Sequence, residues 1–160
     1  SDTLTQLEDV QKKLSDSIAQ MKQVTNPSED FVVERLKTVP SVTEVLAVTE
    51  DNDPNGQLHK DGGYTSAVYF SSDQVDAEDN FLEGDSIAKG TDGGGCVEVY
   101  ETVDNANKRN DYLAAFDGSV FAGGSHKVVG TVVIRTSNIL TATQQTDLET
   151  NVYNALTSLN

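Results

Sequence analysis

The stretch from His126 to Thr136 constrains the fold more than any other part of the sequence. Its valines and isoleucine fall at both odd and even positions, so both faces of an extended strand here would be apolar. β-Branched residues favour strands, and a strand that is apolar on both faces is typical of the interior of a sheet. The stretch therefore predicts one central strand, around which the other elements must be arranged.

Three further segments have the two-residue periodicity of strands, namely residues 42–49, 64–70 and 96–101. In the last of these, Val97 and Val99 point inward if Glu98 faces water, which is where an acidic side chain is usually found. Together with the central strand, these segments predict a sheet of four strands.

Four segments have the 3.6-residue periodicity of amphipathic helices, namely residues 3–24, 27–39, 102–116 and 141–159. Asn26 stands in an N-cap position before Pro27, with Glu29 three residues after the cap. Thr141 and Gln144 have the spacing of a capping box at the start of the last helix. Both pairs predict helix starts that are set by local hydrogen bonds.

The order of these elements predicts an α+β fold in two layers. We expect a mainly antiparallel four-stranded sheet with the amphipathic helices packed on one face, because each helix has a single apolar stripe to bury. Residues 26–160 are predicted to form this single domain. Residues 1–25 are predicted to form a separate amphipathic helix close to a tether.

The first helix has the a and d spacing of a heptad repeat over about three heptads. The spacing is interrupted only by Gln11, and the apolar positions are Leu4, Leu7, Leu14, Ile18 and Met21. Such a stripe either packs on its own domain or pairs with a second copy of itself. The sequence leaves open both packing on the domain and a homodimer through this helix.

Charge and composition exclude several classes of function. Eleven basic residues against twenty-six acidic ones give a net charge of −15. Nucleic acids and anionic membrane surfaces select basic proteins, so neither is an expected partner. No apolar run approaches the ~18 residues of a transmembrane segment. The single cysteine, Cys96, excludes a disulfide within one chain and a cysteine-rich zinc site.

Residues 51–61 have the pattern of the first two thirds of an EF-hand calcium loop. Oxygen-bearing side chains stand at alternate positions, and a glycine stands at the sixth position, where the loop turns sharply. The candidate ligands are Asp51, Asp53, Asn55, the carbonyl of Gln57, and Asp61. Against this, the twelfth position is Gly62 instead of a glutamate. The alternative is a polar turn whose side chains bond to their own backbone. Bound calcium would raise the melting temperature.

Motifs for catalysis are sparse. Cys96, His59 and His126 are joined by no local signature of a nucleophile and its base, and neither Gly-x-Ser-x-Gly nor His-Glu-x-x-His occurs. The long acidic segment 73–92 leaves open a hydrolase in which this segment closes as a lid over carboxylates. The main prediction is that the protein is not an enzyme.

Three groups of residues resemble a known family of domains. They are residues 49–55 with 63–65, residues 94–100 with Ala106, Arg109, Tyr112 and Leu113, and residues 130–135. They resemble an uncharacterised family of extracytoplasmic domains in lipoproteins and membrane-anchored proteins of Gram-positive bacteria. The resemblance implies display outside the cell, attached to the bacterial membrane through a segment upstream of Ser1. It implies no activity and no metal. The expected function is therefore non-catalytic binding of a protein or cell-envelope ligand, or a structural role.

Overall fold

A computed structural model describes all of residues 1–160 as five α-helices, a short 3₁₀ helix at Gly90–Gly93 and five strands. The helices are α1 (Asp2–Gln23), α2 (Glu29–Leu36), α3 (Ser86–Lys89), α4 (Val103–Ala114) and α5 (Ala142–Thr157). The strands are β1 (Val42–Ala47), β2 (Ser66–Ser72), β3 (Gly94–Val99), β4 (His126–Val129) and β5 (Val132–Thr136). None of the helices combines the length and the apolar character needed to cross a membrane.

The strands form one antiparallel sheet in the order β1-β2-β3-β5-β4, which confirms the α+β class. The prediction of four strands is wrong, because residues 126–136 form a hairpin instead of one central strand. Gly130 makes the turn with φ 58°, and an added Cβ there would collide with the carbonyl group of Val24. The backbone N–H of Thr131 also donates to that carbonyl oxygen at 2.9 Å. The turn is therefore fixed by a close backbone approach.

Helices cover both faces of the sheet, so the prediction that they pack on one face is wrong. Val97 and Val99 of β3 share an apolar cluster with α2 and α5, which contribute Leu36 and Leu148 among others. Cys96, on the opposite face of β3, shares a second cluster with Ala106 of α4. The physical reason is that the inner strands have apolar residues on both faces, and each face must be removed from water.

One of the two predicted helix starts is confirmed. The side chains of Thr141 and Gln144 make the reciprocal hydrogen bonds of a capping box at α5. At α2 the N-cap is Ser28, whose hydroxyl accepts a hydrogen bond from Phe31 N–H. Asn26 is not the cap, because it has φ 43° and its amide oxygen accepts a hydrogen bond from the Thr65 hydroxyl.

α1 extends away from the sheet and has no buried residue along its 22 residues. Only its last turn is fixed to the domain. The side-chain amide of Gln23 donates to the carbonyl oxygens of Leu156 at 3.1 Å and Ser158 at 2.8 Å. Val24, directly after the helix, is completely buried in the apolar cluster. The end of α1 is thus anchored while the rest of the helix projects into solvent.

Candidate ligand-binding cleft

Glu98 is a completely buried carboxylate in the middle of the sheet. Arg109 binds both of its oxygens, with Nε 2.9 Å from Oε1 and Nη2 3.2 Å from Oε2. Arg135 Nη1 lies 3.2 Å from Oε2, and the Tyr100 hydroxyl donates to Oε1 at 2.8 Å. A buried charge is tolerated when it is paired and hydrogen-bonded in this way. We call these four residues the Glu98 cluster.

The fold brings the cluster together from three elements. Glu98 lies on β3 and Tyr100 lies just beyond its end, two residues later, so both side chains point to the same face of the sheet. Arg135 lies on β5 directly opposite Cys96, which places its side chain diagonal to Glu98 on that face. Arg109 comes from α4, whose start is set by the Thr102 hydroxyl accepting a hydrogen bond from Asn105 N–H. No two of these three elements contain all four residues of the Glu98 cluster.

The cluster holds two guanidinium groups and one carboxylate, so it has one positive charge in excess. The remaining N–H groups of Arg109 and Arg135 have no partner in the protein. They are not buried, because the only buried side-chain polar atom without a partner is Ser66 Oγ. Those N–H groups are therefore open to solvent. Burial lowers the pKa of Arg109, but Glu98 outweighs it and the net pKa is raised, so the residue stays charged.

The free N–H groups face a cleft of about 380 Å³ between α4 and the segment 121–126. Its wall includes the aromatic rings of Tyr112 and Phe116, whose centroids are 5.2 Å apart in an edge-to-face arrangement. Phe121 stands at the rim with 79% of its surface exposed. The Arg109 guanidinium also lies 5.5 Å from the centre of the Tyr112 ring. The cleft therefore combines a positively charged floor with an apolar wall.

His126 forms a polar part of the same wall. Its Nδ1 lies 2.7 Å from Asn110 Oδ1, and its Nε2 lies 2.9 Å from Asp117 Oδ2. Both ring nitrogens thus have partners on α4 or directly after it. A second cavity of about 400 Å³ adjoins the cleft and shares Asn55, Arg109 and Tyr112 with it.

Asp53, the central residue of the candidate calcium loop, anchors its own loop. Its carboxylate accepts hydrogen bonds from the Tyr64 hydroxyl and from the backbone N–H groups of Asn55 (3.1 Å), Gln57 (2.7 Å) and Leu58 (3.0 Å). Burial works to raise the pKa of Asp53, but these hydrogen bonds together lower it. The lone pairs that would bind an ion are therefore already engaged.

The other candidate ligands have separate surroundings. Asp51 and Asp61 are exposed, and the Gln57 carbonyl accepts from Lys60 N–H at 3.2 Å. The Asn55 side chain is near the Tyr69 hydroxyl at 3.4 Å. Nowhere in the chain do three or more Asp, Glu, His or Cys side chains form a group suited to a metal ion. Calcium binding by residues 51–61 stays a prediction.

The residues considered for catalysis do not form a Cys-His pair. Cys96 is completely buried, and burial raises the pKa of its thiol, which favours the unreactive protonated form. The His59 ring is 3.0 Å from Glu50, and His126 has the partners given above. Residues 73–92, the proposed lid, do not line the cleft. One part of this segment is fixed to β1, because the Glu44 carboxylate accepts hydrogen bonds from the N–H and the hydroxyl of Ser86, each at 2.7 Å.

The prediction that Glu98 faces water is wrong, because its side chain is completely buried. An acidic residue between Val97 and Val99 looks like the outward position of a half-exposed strand. The signal that could have corrected this is its neighbours on the same face, Cys96 and Tyr100, which are a poor match for a solvated surface.

Comparisons of the chain with models of protein families, with curated proteins and with solved structures find no match. The function therefore has to be inferred from the site itself.

Proposed function

We propose that this protein is a non-catalytic, extracytoplasmic binding domain, attached to a bacterial membrane through a segment upstream of Ser1, and that its ligand occupies the cleft above the Glu98 cluster. The observation that carries the proposal is the surplus positive charge at the floor of this cleft. The chain has three arginines, and two of them meet here, although the protein has a net charge of −15.

The second arginine is not needed to neutralise Glu98. Arg109 alone makes the two-point contact that pairs a guanidinium with a carboxylate. Arg135 adds a single hydrogen bond to Glu98 and keeps its other N–H groups for the cleft. A purely structural ion pair would be complete with one arginine, so the second points to an anionic ligand.

The arrangement supports binding over catalysis. The Cys96 thiol is buried away from the cleft surface, and both histidines are engaged with carboxylate or amide side chains. The extracytoplasmic placement rests on the family resemblance of residues 49–55, 94–100 and 130–135. It is tested separately by asking whether added protease removes the full-length protein from intact cells.

The binding proposal is tested by an NMR titration of the ¹⁵N-labelled chain with a fragment set that contains anionic and neutral compounds. We expect anions to shift the amide signals of α4 and of Arg135. Arg135→Gln should weaken this binding about tenfold or more, because a charge-assisted hydrogen bond is lost. It leaves Glu98 paired with Arg109, so the variant should fold.

Lys13→Gln is the matched control, since it removes one positive charge from α1, far from the cleft. It should leave the affinity unchanged. Equal weakening by both variants, or anionic fragments that never shift the cleft signals, would contradict the proposal. So would turnover of a hydrolase or transferase substrate that is lost in Cys96→Ala or His59→Ala.

A further inference from the structure

The charge count and shape of the cleft specify a class of ligand more narrowly. The floor has one surplus positive charge, which one negative charge balances, and the half-exposed Asp117 carboxylate beside His126 makes a second negative charge on the ligand still less favourable. A dianion such as a phosphate monoester would leave an extra negative charge beside the buried Glu98, where the low dielectric makes it costly. The free N–H groups of a planar guanidinium match the two oxygens of a carboxylate. The floor therefore fits a monocarboxylate.

The wall of the cleft fits an aromatic or similarly flat apolar group. Tyr112, Phe116 and Phe121 all line the same cleft of about 380 Å³, and the rings of Tyr112 and Phe116 meet edge to face. This volume is at the lower end of the range for small-molecule sites, about 300–1,000 Å³. It accommodates a single ring with a short side chain.

We infer that the cleft binds small aromatic monocarboxylates, with the carboxylate on Arg109 and Arg135 and the ring against Tyr112, Phe116 and Phe121. This inference rests on the proposed function, because it assumes that the cleft is the ligand site.

The test uses matched probes in the same NMR titration: benzoate with benzamide, 3-phenylpropionate with its amide, acetate, and phenyl phosphate. The aromatic carboxylates should shift the cleft signals, and their amides should bind at least about tenfold more weakly. Acetate should also bind more weakly, because it has no ring. Phe121→Ala should weaken benzoate or 3-phenylpropionate about fivefold, because an apolar contact is lost.

Val120→Ala is the control for Phe121→Ala and should leave the affinity unchanged, since Val120 is 93% exposed and does not line the cleft. If phenyl phosphate binds the cleft more tightly than the carboxylates, the ligand class is wrong while the binding function stands. If no probe shifts the cleft and the broader fragment set also fails, both are wrong. Equal binding of acids and amides overturns the role assigned to the arginines.

A second inference rests independently on α1. Its large apolar residues are at least half exposed, namely Leu4, Leu7, Val10, Leu14, Ile18 and Met21. Most of the stability of helices in proteins comes from packing of the apolar face, which α1 lacks, and a stripe at a and d alone is narrower than one that packs on a globular surface. Two copies would bury on the order of 1,000 Å² of this surface, close to the minimum for a specific interface.

Charge and register favour a second copy in parallel orientation. α1 has three lysines and four carboxylates, so it is almost neutral in a strongly acidic protein and two helices can approach. This balance does not suit a membrane surface, which selects a basic polar face. Gln11 occupies an a position, where it meets its own copy only in a parallel, in-register pair; an antiparallel pair would bury it against leucine.

We propose that two copies associate through α1 as a parallel coiled coil with Gln11 facing Gln11. With only three heptads and one polar layer, and with an interface near the lower limit of specific ones, the association should be weak. Because two domains of charge −15 come close together, the affinity should rise with salt, between about 50 and 500 mM.

Sedimentation equilibrium of the whole chain up to about 1 mM tests this. Leu14→Glu should abolish the dimer, and Gln6→Glu, on the outer face, should not. Leu14→Cys should form an interchain disulfide, since position 14 faces itself only in a parallel pair, and the native Cys96 is buried and does not compete. A monomer at every concentration and salt, or a dimer that survives Leu14→Glu, would overturn the proposal. A dimer in which Leu14→Cys fails to crosslink would overturn its parallel register.

Discussion

The two faces of the sheet are covered in the same way but differ in chemistry. On one face Val97 and Val99 belong to a cluster of 16 buried apolar residues beneath α2 and α5. On the other, the same strand contributes Cys96 and the buried carboxylate of Glu98 beneath α4. A single strand thus supports a dry core on one face and a charged site on the other.

The two faces are therefore expected to contribute differently to stability and to binding. Burying apolar side chains stabilises a fold by about 25 cal/mol per Å². A buried ion pair roughly balances its own desolvation and is a weak source of stability, although removing one partner is strongly destabilising. We therefore expect the apolar face to hold the domain together, and the proposed ligand site would explain why the charged face is kept.

Replacement of Glu98 should break the charged face with the largest effect. Glu98→Gln leaves two guanidinium groups without a counter-charge, and removal of one partner from a buried pair costs about 3–5 kcal/mol. Urea unfolding measures the loss. Glu101→Gln is the control, because Glu101 is exposed just beyond the same strand and its change should stay within about 0.5 kcal/mol. Equal effects of the two substitutions would show that the Glu98 cluster is not coupled to folding.

Truncation on the apolar face should cost slightly less. Leu148 of α5 is 1% exposed, and Leu148→Ala should lower the free energy of unfolding by about 3 kcal/mol through lost burial and the cavity left behind. Ligand binding in the cleft should be unaffected, because the sheet lies between Leu148 and the cleft. Leu4→Ala, in the exposed stripe of α1, should change the stability of the monomer by less than about 0.5 kcal/mol. A change in cleft affinity on Leu148→Ala would show that the two faces are coupled.

Replacement of Asp53 tests the loop that borders the charged face, and we expect it to change stability least of the three substitutions. Its carboxylate accepts from Tyr64 and from three backbone N–H groups, so Asp53→Asn should cost about 1 kcal/mol at neutral pH. Because its pKa is lowered by folding, the stabilisation is complete above the unfolded-state pKa of 3.8 and is lost as the pH falls through the folded-state value. The difference between wild type and variant should therefore shrink in acid. A difference that is constant from pH 7 to about 2 would contradict this assignment.

Local patterns in the sequence predicted α1, α2, α4, α5 and the first three strands, because these elements are governed by neighbours along the chain. The short helix α3 was not predicted. The period of the helices, the alternation of the strands and the capping box at Thr141 all depend on residues within one or two turns. The turn at Gly130 was missed, because its only local mark is one glycine in a valine-rich stretch. What excludes a side chain at this position is the backbone of Val24, more than 100 residues away, which also accepts a hydrogen bond from Thr131 N–H.

The site was the least predictable part for the same reason. The sequence assigned no role to Arg109 or Arg135, and Glu98 was expected to face water. No spacing along the chain indicates that α4 crosses the face on which all three meet. Similarly, nothing local shows that Gly95 is needed because an added Cβ would collide with the ring of Phe70.

By itself, the sequence determined the class of fold, the acidic character and the amphipathic stripe of α1, since periodicity and composition act through short-range preferences and net charge. Only the tertiary structure decided that helices cover both faces, that Glu98 is buried between two arginines, and that α1 remains uncovered. These outcomes depend on which distant surfaces meet and lose their water, and that is a property of the whole packed chain.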